Sequence, residues 1–115
     1  MKNVAIIGEI HSDGIDILNN NHCKVIDLSN ASEEKLKEIL KKIDAIVVRT
    51  ANLNADILKE CLSLKIVARH GVGYDNLDIN FLNNNGIALA ITGAANAASV
   101  SEHVMTMFLY LCKLI

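Results

Sequence analysis

The fold follows from one stretch of sequence, Arg69-His70-Gly71-Val72-Gly73-Tyr74-Asp75-Asn76-Leu77-Asp78. The apolar run before it, residues 64–68, predicts a buried β-strand, and the stretch itself reads as a glycine-rich turn. A short helix follows, with Asp78 as its N-cap and Gly86 at its end, because these residue types are favoured at those positions. The next apolar run, residues 87–91, predicts another strand. This strand–turn–helix–strand unit is typical of a parallel sheet.

The glycine-rich turn has two alternative explanations. Gly71 and Gly73 flank Val72 and carry no side chain, so the backbone N–H groups of Val72 and Gly73 are open to a small anion. Turns after buried strands also use glycine for steric reasons. A Gly-x-Gly pattern alone does not separate the two.

Apolar runs and helical patterns alternate along the whole chain. Ser32 is predicted to begin a helix whose apolar residues recur at helical spacing, and Asn54 is predicted to begin another. The sequence contains no proline. We therefore predict an α/β fold of the flavodoxin-like type, a three-layer structure with a parallel sheet in the strand order 2-1-3-4-5. The five strands are predicted at residues 4–8, 23–28, 45–48, 64–68 and 87–91.

Candidate functional residues follow the predicted strands at their carboxyl ends, where open α/β sheets bind ligands. Arg49 at the end of the third strand argues against a phosphoacceptor receiver, which needs an aspartate there. Residues 8–11 lack the Ser/Thr-rich phosphate loop of a flavodoxin. The candidates at this edge are residues 9–11, Arg49 with Thr50, residues 70–73 and residues 92–96.

The last predicted helix, residues 99–115, is apolar around most of its circumference. Ser99 and Glu102 have the spacing of a capping box at its start. One small domain can cover only one face of such a helix, so a second domain or a second copy of the chain must cover the rest. We therefore predict a domain of residues 1–98 and a protruding linker or dimerisation helix of residues 99–115, which would form a homodimer. Its polar residues form one narrow stripe, His103, Thr106, Tyr110 and Lys113.

Composition limits the class of protein. At 115 residues, 51% hydrophobic and 3% aromatic, the chain is expected to be one domain with an aliphatic core. A net charge of −2 predicts no nucleic-acid partner. The apolar run 104–115 is too short to span a membrane, so a cytoplasmic protein without a membrane partner is predicted. Three widely spaced cysteines, Cys23, Cys61 and Cys112, are predicted to be small buried side chains in a reducing compartment, and no metal site is predicted.

The quoted stretch resembles the N-terminal half of the D-isomer-specific 2-hydroxyacid dehydrogenases. The resemblance continues through Gly86-Ile87, through Asn96-Ala97-Ala98-Ser99-Val100-Ser101-Glu102-His103, and includes Arg49-Thr50. The family contains phosphoglycerate dehydrogenase, glyoxylate/hydroxypyruvate reductase and formate dehydrogenase. It implies hydride transfer between NAD(H) and a 2-hydroxy or 2-keto acid, with this chain as the substrate-binding half.

The resemblance also implies roles for individual residues. The substrate carboxylate would be held by the N–H groups of Val72 and Gly73, and the Asn96 amide would reach the substrate or cofactor. Arg49 and Thr50 would face a phosphorylated substrate, and Val100 would pack near the nicotinamide. From the residues alone, four alternatives remain. They are a tight turn at Gly71 and Gly73, a helix-entry turn at Asn96, a surface ion pair of Arg49 and a core role for Val100.

No catalytic residue is assigned in this chain. The family's catalytic arginine, glutamate and histidine belong to the region after residue 115, as does its dinucleotide-binding Gly-x-Gly-x-x-Gly. Residues 71–76 lack the third glycine of that motif. The sequence therefore predicts that the nucleotide-binding domain is absent and that the chain is inactive alone. The alternative is a non-catalytic binding or dimerisation module derived from the family.

Overall fold

The computed structural model describes residues 1–113, so the last two residues of the predicted C-terminal helix, Leu114 and Ile115, lie outside the described part. Five parallel strands form one sheet in the order β2-β1-β3-β4-β5, which confirms the predicted α/β fold. The elements are β1 Lys2–Ile7, α1 Ser12–Asn20, β2 Cys23–Asp27, α2 Glu33–Leu40, β3 Ala45–Val48, α3 Ala55–Leu58, β4 Ile66–Arg69, α4 Ile79–Asn84, β5 Ala88–Ile91 and α5 Ala97–Lys113.

One face of the sheet carries the main core. Ala5, Ile46 and Val67 lie side by side in register on β1, β3 and β4, and each is fully buried. Leu40 at the end of α2 and Leu82 of α4 belong to the same cluster. The crossovers after β2, β3 and β4 all step in one direction across the sheet, and their right-handedness places α2, α3 and α4 together on this face.

The opposite face is covered only in part. The step from β1 to β2 runs the other way, so α1 packs on this second face, over buried Val4 and Ile6 of β1. Beyond β1 the same face is apolar but less buried, with Ile66 37% exposed. A groove of about 350 Å³ lies along it. We call this surface the open sheet face and define it by Ala45, Val47, Ile66, Ala68, Ala88 and Ala90.

The predicted caps of three helices are confirmed. The Ser32, Asn54 and Asp78 side chains accept hydrogen bonds from the backbone N–H groups three residues on, at 3.4, 3.0 and 2.9 Å. Gly86 follows α4 with a φ of +65°, a conformation that glycine adopts at low cost. These local signals therefore set the helix starts correctly.

The predicted capping box at Ser99 is wrong. α5 begins at Ala97, and the Val100 N–H already donates to the Asn96 carbonyl at 3.0 Å, so Ser99 lies inside the first turn. Ser101 does not cap the helix either, because its hydroxyl donates back to the Ala97 carbonyl at 2.8 Å.

The C-terminal helix protrudes, as predicted. Every described residue from 91 to 113 is exposed, and the molecule is elongated, with extents of 56 × 32 × 26 Å. No helix within residues 1–113 is long and apolar enough to cross a membrane. The division of the chain into a domain of residues 1–98 and a helix of residues 99–115 stays a prediction.

The three cysteines differ in exposure. Cys61 is buried as predicted, Cys23 is half-buried, and Cys112 is exposed on α5, so the prediction of a buried thiol is wrong for Cys112. Burial raises the pKa of the Cys61 thiol to about 11, and the nearby Glu60 carboxylate adds to the rise.

Raising the pH from 9 to 11 is expected to destabilise the fold through Cys61. The unfolded thiol releases its proton near the ordinary pKa of 9.0, whereas the folded thiol keeps it until about 11. Below pH 9 the thiol is protonated in both states, and its contribution to the free energy of unfolding is fully retained. Above pH 9 the unfolded thiol ionises first, so the free energy of unfolding falls by on the order of 1–2 kcal/mol. Urea unfolding at pH 8 and 10.5 measures it. The Cys61→Ala variant should lose this slope, and an equal slope in both proteins would contradict the assignment.

Candidate functional site

The glycine loop, residues 70–75, leaves the sheet at the carboxyl end of β4. The His70 N–H donates to the Val48 carbonyl at 2.7 Å as the last sheet-like bond. Gly71 then turns the chain with a φ of +152°, in the range that favours glycine. The Thr92 N–H donates to the Gly71 carbonyl at 3.1 Å and joins the end of β5 to this turn. The loop is therefore anchored to the strands on both sides.

The backbone N–H groups of Val72 and Gly73 are open, as the anion-binding interpretation requires. Val72 is 40% exposed, and Gly73 is exposed with no atom within 4 Å of the position that a Cβ would take. Within residues 1–113, no carbonyl or side chain accepts a hydrogen bond from either group. Two main-chain donors are thus available to a ligand at the rim of the sheet.

Arg69 is a candidate that the sequence reasoning missed. Its guanidinium lies over Gly71, where an added Cβ would come within 2.9 Å of Cζ. Nη1 donates to the His70 carbonyl, and Nε donates to Asn76 Oδ1 at 3.2 Å. A positive charge is therefore fixed over Gly71, the residue that precedes the two open N–H groups in the chain. The sequence did indicate Arg69 as a candidate, because it follows an apolar strand as Arg49 does.

Asn76 joins the glycine loop to the loop after β3. Its Nδ2 donates to the Ala51 carbonyl at 2.7 Å while its Oδ1 holds Arg69. The main chain adds a parallel bridge, in which the Leu53 N–H donates to the Asn76 carbonyl at 2.9 Å and the Asp78 N–H donates to the Leu53 carbonyl at 3.1 Å. The two loops form one hydrogen-bonded unit.

Arg49 and Thr50 lie at the same edge, one strand away. The Arg49 N–H donates to the Ile7 carbonyl at 3.1 Å, and its Nη1 donates to the Glu9 carbonyl at 3.4 Å. None of the ion pairs within residues 1–113 includes Arg49, so the alternative of a surface ion pair is not what the structure shows. Both residues are exposed and accessible to an anion.

Asn96 and Val100 lie at the start of α5. Both are exposed, and Val100 at 52% exposure is not a core residue, which removes that alternative. No hydrogen bond of the Asn96 side chain to the glycine loop is present in the described part of the chain. Their predicted roles stay predictions.

A larger cavity lies beside the glycine loop. It has a volume of about 590 Å³ and is lined by residues 52–54 and 75–80. None of the predicted site residues lines it. Asp75 and Asp78 contribute carboxylates to its wall, which disfavours an anionic ligand there.

The comparisons with known proteins agree with the resemblance seen in the sequence. The family model for the D-isomer specific 2-hydroxyacid dehydrogenase catalytic domain matches residues 4–107. D-3-phosphoglycerate dehydrogenase of Archaeoglobus fulgidus is 33% identical over 107 residues, which are 92% of this chain and 20% of that protein. Hydroxypyruvate reductase of Thermotoga maritima is 32% identical over 107 residues, 92% of this chain and 35% of that protein.

Solved structures give the same result. Entamoeba histolytica 3-phosphoglycerate dehydrogenase with bound NAD+ has a TM-score of 0.79 and 25% identity, covering 95% of this chain and 38% of that one. Aquifex aeolicus D-lactate dehydrogenase, in complex with NAD and lactic acid, has a TM-score of 0.75 and 26% identity, covering 95% of this chain and 33% of that one. The chain spans between 20% and 38% of the length of these relatives.

Proposed function

The chain belongs to the D-isomer specific 2-hydroxyacid dehydrogenase family, and from this membership we propose that it is the substrate-binding half of such an enzyme. Its ligand is a small 2-hydroxy or 2-keto carboxylic acid. The observation that carries the proposal is the pair of open backbone N–H groups at Val72 and Gly73. They lie at the carboxyl edge of the sheet, where α/β folds bind ligands.

These N–H groups suit a carboxylate. They are uncharged, directional donors held by a loop that is hydrogen-bonded to β3 and β5 on either side, so little reorganisation is needed on binding. The Arg69 guanidinium beside Gly71 adds a positive charge without occupying the donors.

The remaining site residues are assigned to the rest of the substrate. Arg49 and Thr50, one strand away, would hold a second polar group such as the phosphate of a phosphorylated acid, since a guanidinium pairs with phosphate through two N–H bonds. The exposed Asn96 amide would reach the substrate or the cofactor. The relatives include enzymes named for phosphoglycerate and for hydroxypyruvate, and the assignment fits either class.

We propose NAD as the cofactor of the reaction, because two structural relatives contain it. The residues described here do not form a site for its pyrophosphate. The helix after the glycine loop, α4, has six residues and begins at the Asp78 carboxylate, which already accepts from the Phe81 N–H and would repel a phosphate. Val100 offers only an apolar side chain, which has no donor for the pyrophosphate. We therefore propose that residues 1–115 alone bind the acid and transfer no hydride.

Titration with D-lactate, followed by amide NMR, tests this function. We expect the Val72 and Gly73 signals to shift, with a dissociation constant on the order of millimolar, because few groups contact the ligand. D-Lactamide, which lacks the carboxylate, is the matched control and should leave both signals in place. The same preparation is expected to oxidise no NADH with hydroxypyruvate or glyoxylate. Equal shifts with both ligands would overturn carboxylate binding by these N–H groups. Oxidation of NADH would overturn the proposal that residues 1–115 alone transfer no hydride.

A second candidate function is a non-catalytic module that forms a homodimer through α5. The observation in its favour is the exposure of the helix, on which large side chains remain more than half exposed. Light scattering after size exclusion distinguishes a dimer from a monomer. The exposed side chains of the helix are Val100, Val104, Met105, Met107, Phe108, Leu109, Tyr110 and Leu111.

A cytoplasmic location without nucleic-acid or membrane partners stays a prediction.

A further inference from the structure

We propose that a groove between β2 and α2 binds a compact anion with several negative charges, of the class formed by chains of phosphate groups. The groove has a volume of about 550 Å³. We call it the lysine groove, because four lysines line it: Lys24, Lys35, Lys41 and Lys42. It lies toward the amino ends of the strands, whereas the glycine loop follows the carboxyl end of β4. The inference therefore does not depend on the proposed function.

Three parts of the chain bring these lysines together. Lys24 is the second residue of the edge strand β2 and lies in register with Asn3 of β1. Lys35 belongs to the first turn of α2, and Lys41 and Lys42 to the turn that follows this helix. In a right-handed crossover the helix runs back across the sheet, so the end of α2 returns toward the amino edge. All four lysines are exposed and accessible to a ligand.

The protein itself does not neutralise these charges. Glu38 is the one acid among the residues that line the groove, although the chain contains 13 acids and has a net charge of −2. None of the ion pairs within residues 1–113 includes Glu38 or any of the four lysines. Asp44, before β3, pairs with Lys2 at 3.3 Å and does not line the groove. The lysine groove is thus a positive region on an acidic protein.

Stability of the helix and protection of the sheet edge explain only part of this arrangement. Cations such as Lys41 and Lys42 are favourable at the carboxyl end of a helix. A lysine on an edge strand, such as Lys24, opposes pairing with another sheet. Lys35 lies near the amino end of α2, where a cation opposes the helix dipole. Neither explanation requires all four side chains to line one groove.

The remaining walls of the groove strengthen its attraction for an anion. Ile26 and Ile39 are half-buried and Ile43 is buried, and all three line the groove. A cleft that combines apolar walls with charges of one sign focuses the electric field and concentrates counter-ions. We therefore expect the lysines to attract an anion more strongly here than on a flat surface.

The turn that carries two of the lysines is fixed to the sheet. Asn3 Nδ2 donates to the Lys42 carbonyl at 2.9 Å, and the Asp44 N–H donates to the Asn3 carbonyl at 2.9 Å. The Asn3 N–H in turn donates to the Asp44 carboxylate at 2.9 Å. The backbone of this wall is therefore already in place before a ligand binds.

The chemistry of the groove favours a chain of phosphate groups. A lysine binds phosphate as a point charge with three donors, and several lysines suit an anion with several charges close together. The volume lies in the range of small-molecule sites, about 300–1,000 Å³. No aromatic side chain is among the described residues that line the groove, so a nucleobase has no surface for stacking. We therefore expect recognition of the phosphate chain itself, free or attached to a nucleoside.

Titration with tripolyphosphate, followed by calorimetry and amide NMR, tests the site. We use about 0.1 M NaCl, where charges interact over about 10 Å, and no divalent cations. Tripolyphosphate is expected to bind roughly tenfold or more tightly than inorganic phosphate, because it presents more charge in one groove. The signals of residues 24–26 and 39–43 should shift. ATP and GTP should bind within about threefold of tripolyphosphate.

Substitutions of both signs test the assignment. Lys24→Ala and Lys42→Ala are each expected to weaken tripolyphosphate binding about three- to fivefold. Glu38→Gln removes the carboxylate from the groove and should strengthen binding about threefold. The matched control is Lys65→Ala, which removes an exposed lysine that has no ion pair within residues 1–113. Lys65 precedes β4, three strands from β2 and on the order of 14 Å away, so its loss should leave binding unchanged.

Three results would overturn the proposal. Equal weakening by Lys24→Ala and Lys65→Ala would show attraction to the whole chain and not to the groove. Binding of ATP without binding of tripolyphosphate would assign recognition to the nucleoside. Shifts confined to Val72 and Gly73 would place the anion at the glycine loop. The D-lactate titration measures that loop separately, so failure at one site is distinguishable from failure at the other.

Discussion

Replacing Gly71 with alanine is expected to weaken carboxylate binding roughly tenfold or more and to lower the free energy of unfolding by about 2–3 kcal/mol. The φ of +152° is unfavourable for a side chain, and the new Cβ would come within 2.9 Å of the Arg69 Cζ. The guanidinium must then move away and lose its hydrogen bond to Asn76. Urea unfolding and the D-lactate titration measure the two effects.

The neighbouring glycine provides a matched control for the loss of stability. Gly73 has no positive φ, and no atom lies within 4 Å of its Cβ position. The free energy of unfolding of Gly73→Ala should therefore change by less than about 0.5 kcal/mol. Equal destabilisation by the two substitutions would show that the loop does not depend on the contact between Gly71 and Arg69.

Replacing Asn76 with alanine is expected to cost about 3 kcal/mol of stability and to abolish measurable acid binding. The substitution removes the bonds to the Ala51 carbonyl and to Arg69 Nε, which are 2.7 and 3.2 Å long. Both partners are then left without an acceptor or donor in a partly buried position, and the two loops lose their side-chain connection. Urea unfolding gives the stability, and the shifts of Val72 and Gly73 report on the site.

Two further variants make the Asn76 prediction specific. Asn76→Asp keeps an acceptor for Arg69 but cannot donate to the Ala51 carbonyl when ionised, so an intermediate loss is expected. Asn52→Ala, an exposed residue in the adjoining loop, should be nearly neutral. If Asn76→Ala were as stable as Asn52→Ala, the hydrogen-bonded unit of the two loops would not contribute to the fold.

Those parts of the fold that depend on local chemistry were predictable from sequence. Apolar runs placed the strands to within about two residues, and the side chains of Ser32, Asn54 and Asp78 identified three helix starts. The alternation of strands and helices indicated a parallel sheet with right-handed crossovers, and the order 2-1-3-4-5 was predicted as the flavodoxin-like one, which the family resemblance also implies. The convergence of Arg49, Thr50 and the glycine loop at one edge followed because each comes after a strand of this parallel sheet.

The failures have specific physical causes. The capping box at Ser99 was wrong because the turns of residues 92–96 run into the helix, so that the Asn96 carbonyl accepts the first helical bond and the hydroxyl of Ser101 bonds backwards. The predicted strand at residues 64–68 begins two residues later, at Ile66, because buried Leu64 still belongs to the turn after α3. Neither effect can be recognised from the residue types alone.

Arg69 was missed as a candidate site residue although it follows an apolar strand, because its position in the sequence does not show where its guanidinium lies. Its guanidinium folds back over Gly71, two residues on, and is oriented by Asn76, seven residues on. That orientation depends on the left-handed conformation of a single glycine. Sequence reasoning identified the glycine and its freedom but not which neighbour would occupy the space left by the missing side chain.

The bridge between Leu53 and Leu77 continues the parallel pairing of the sheet into the loops at its carboxyl edge. It makes the rim that carries the N–H donors an extension of the sheet itself, independent of the loop that follows β1. Glu9 contacts this rim only through its carbonyl, which accepts from Arg49 at 3.4 Å. Within residues 1–113, residues 9–11 make no hydrogen bond to Val72 or Gly73, so substitutions in the loop after β1 are expected to leave the two donors in place.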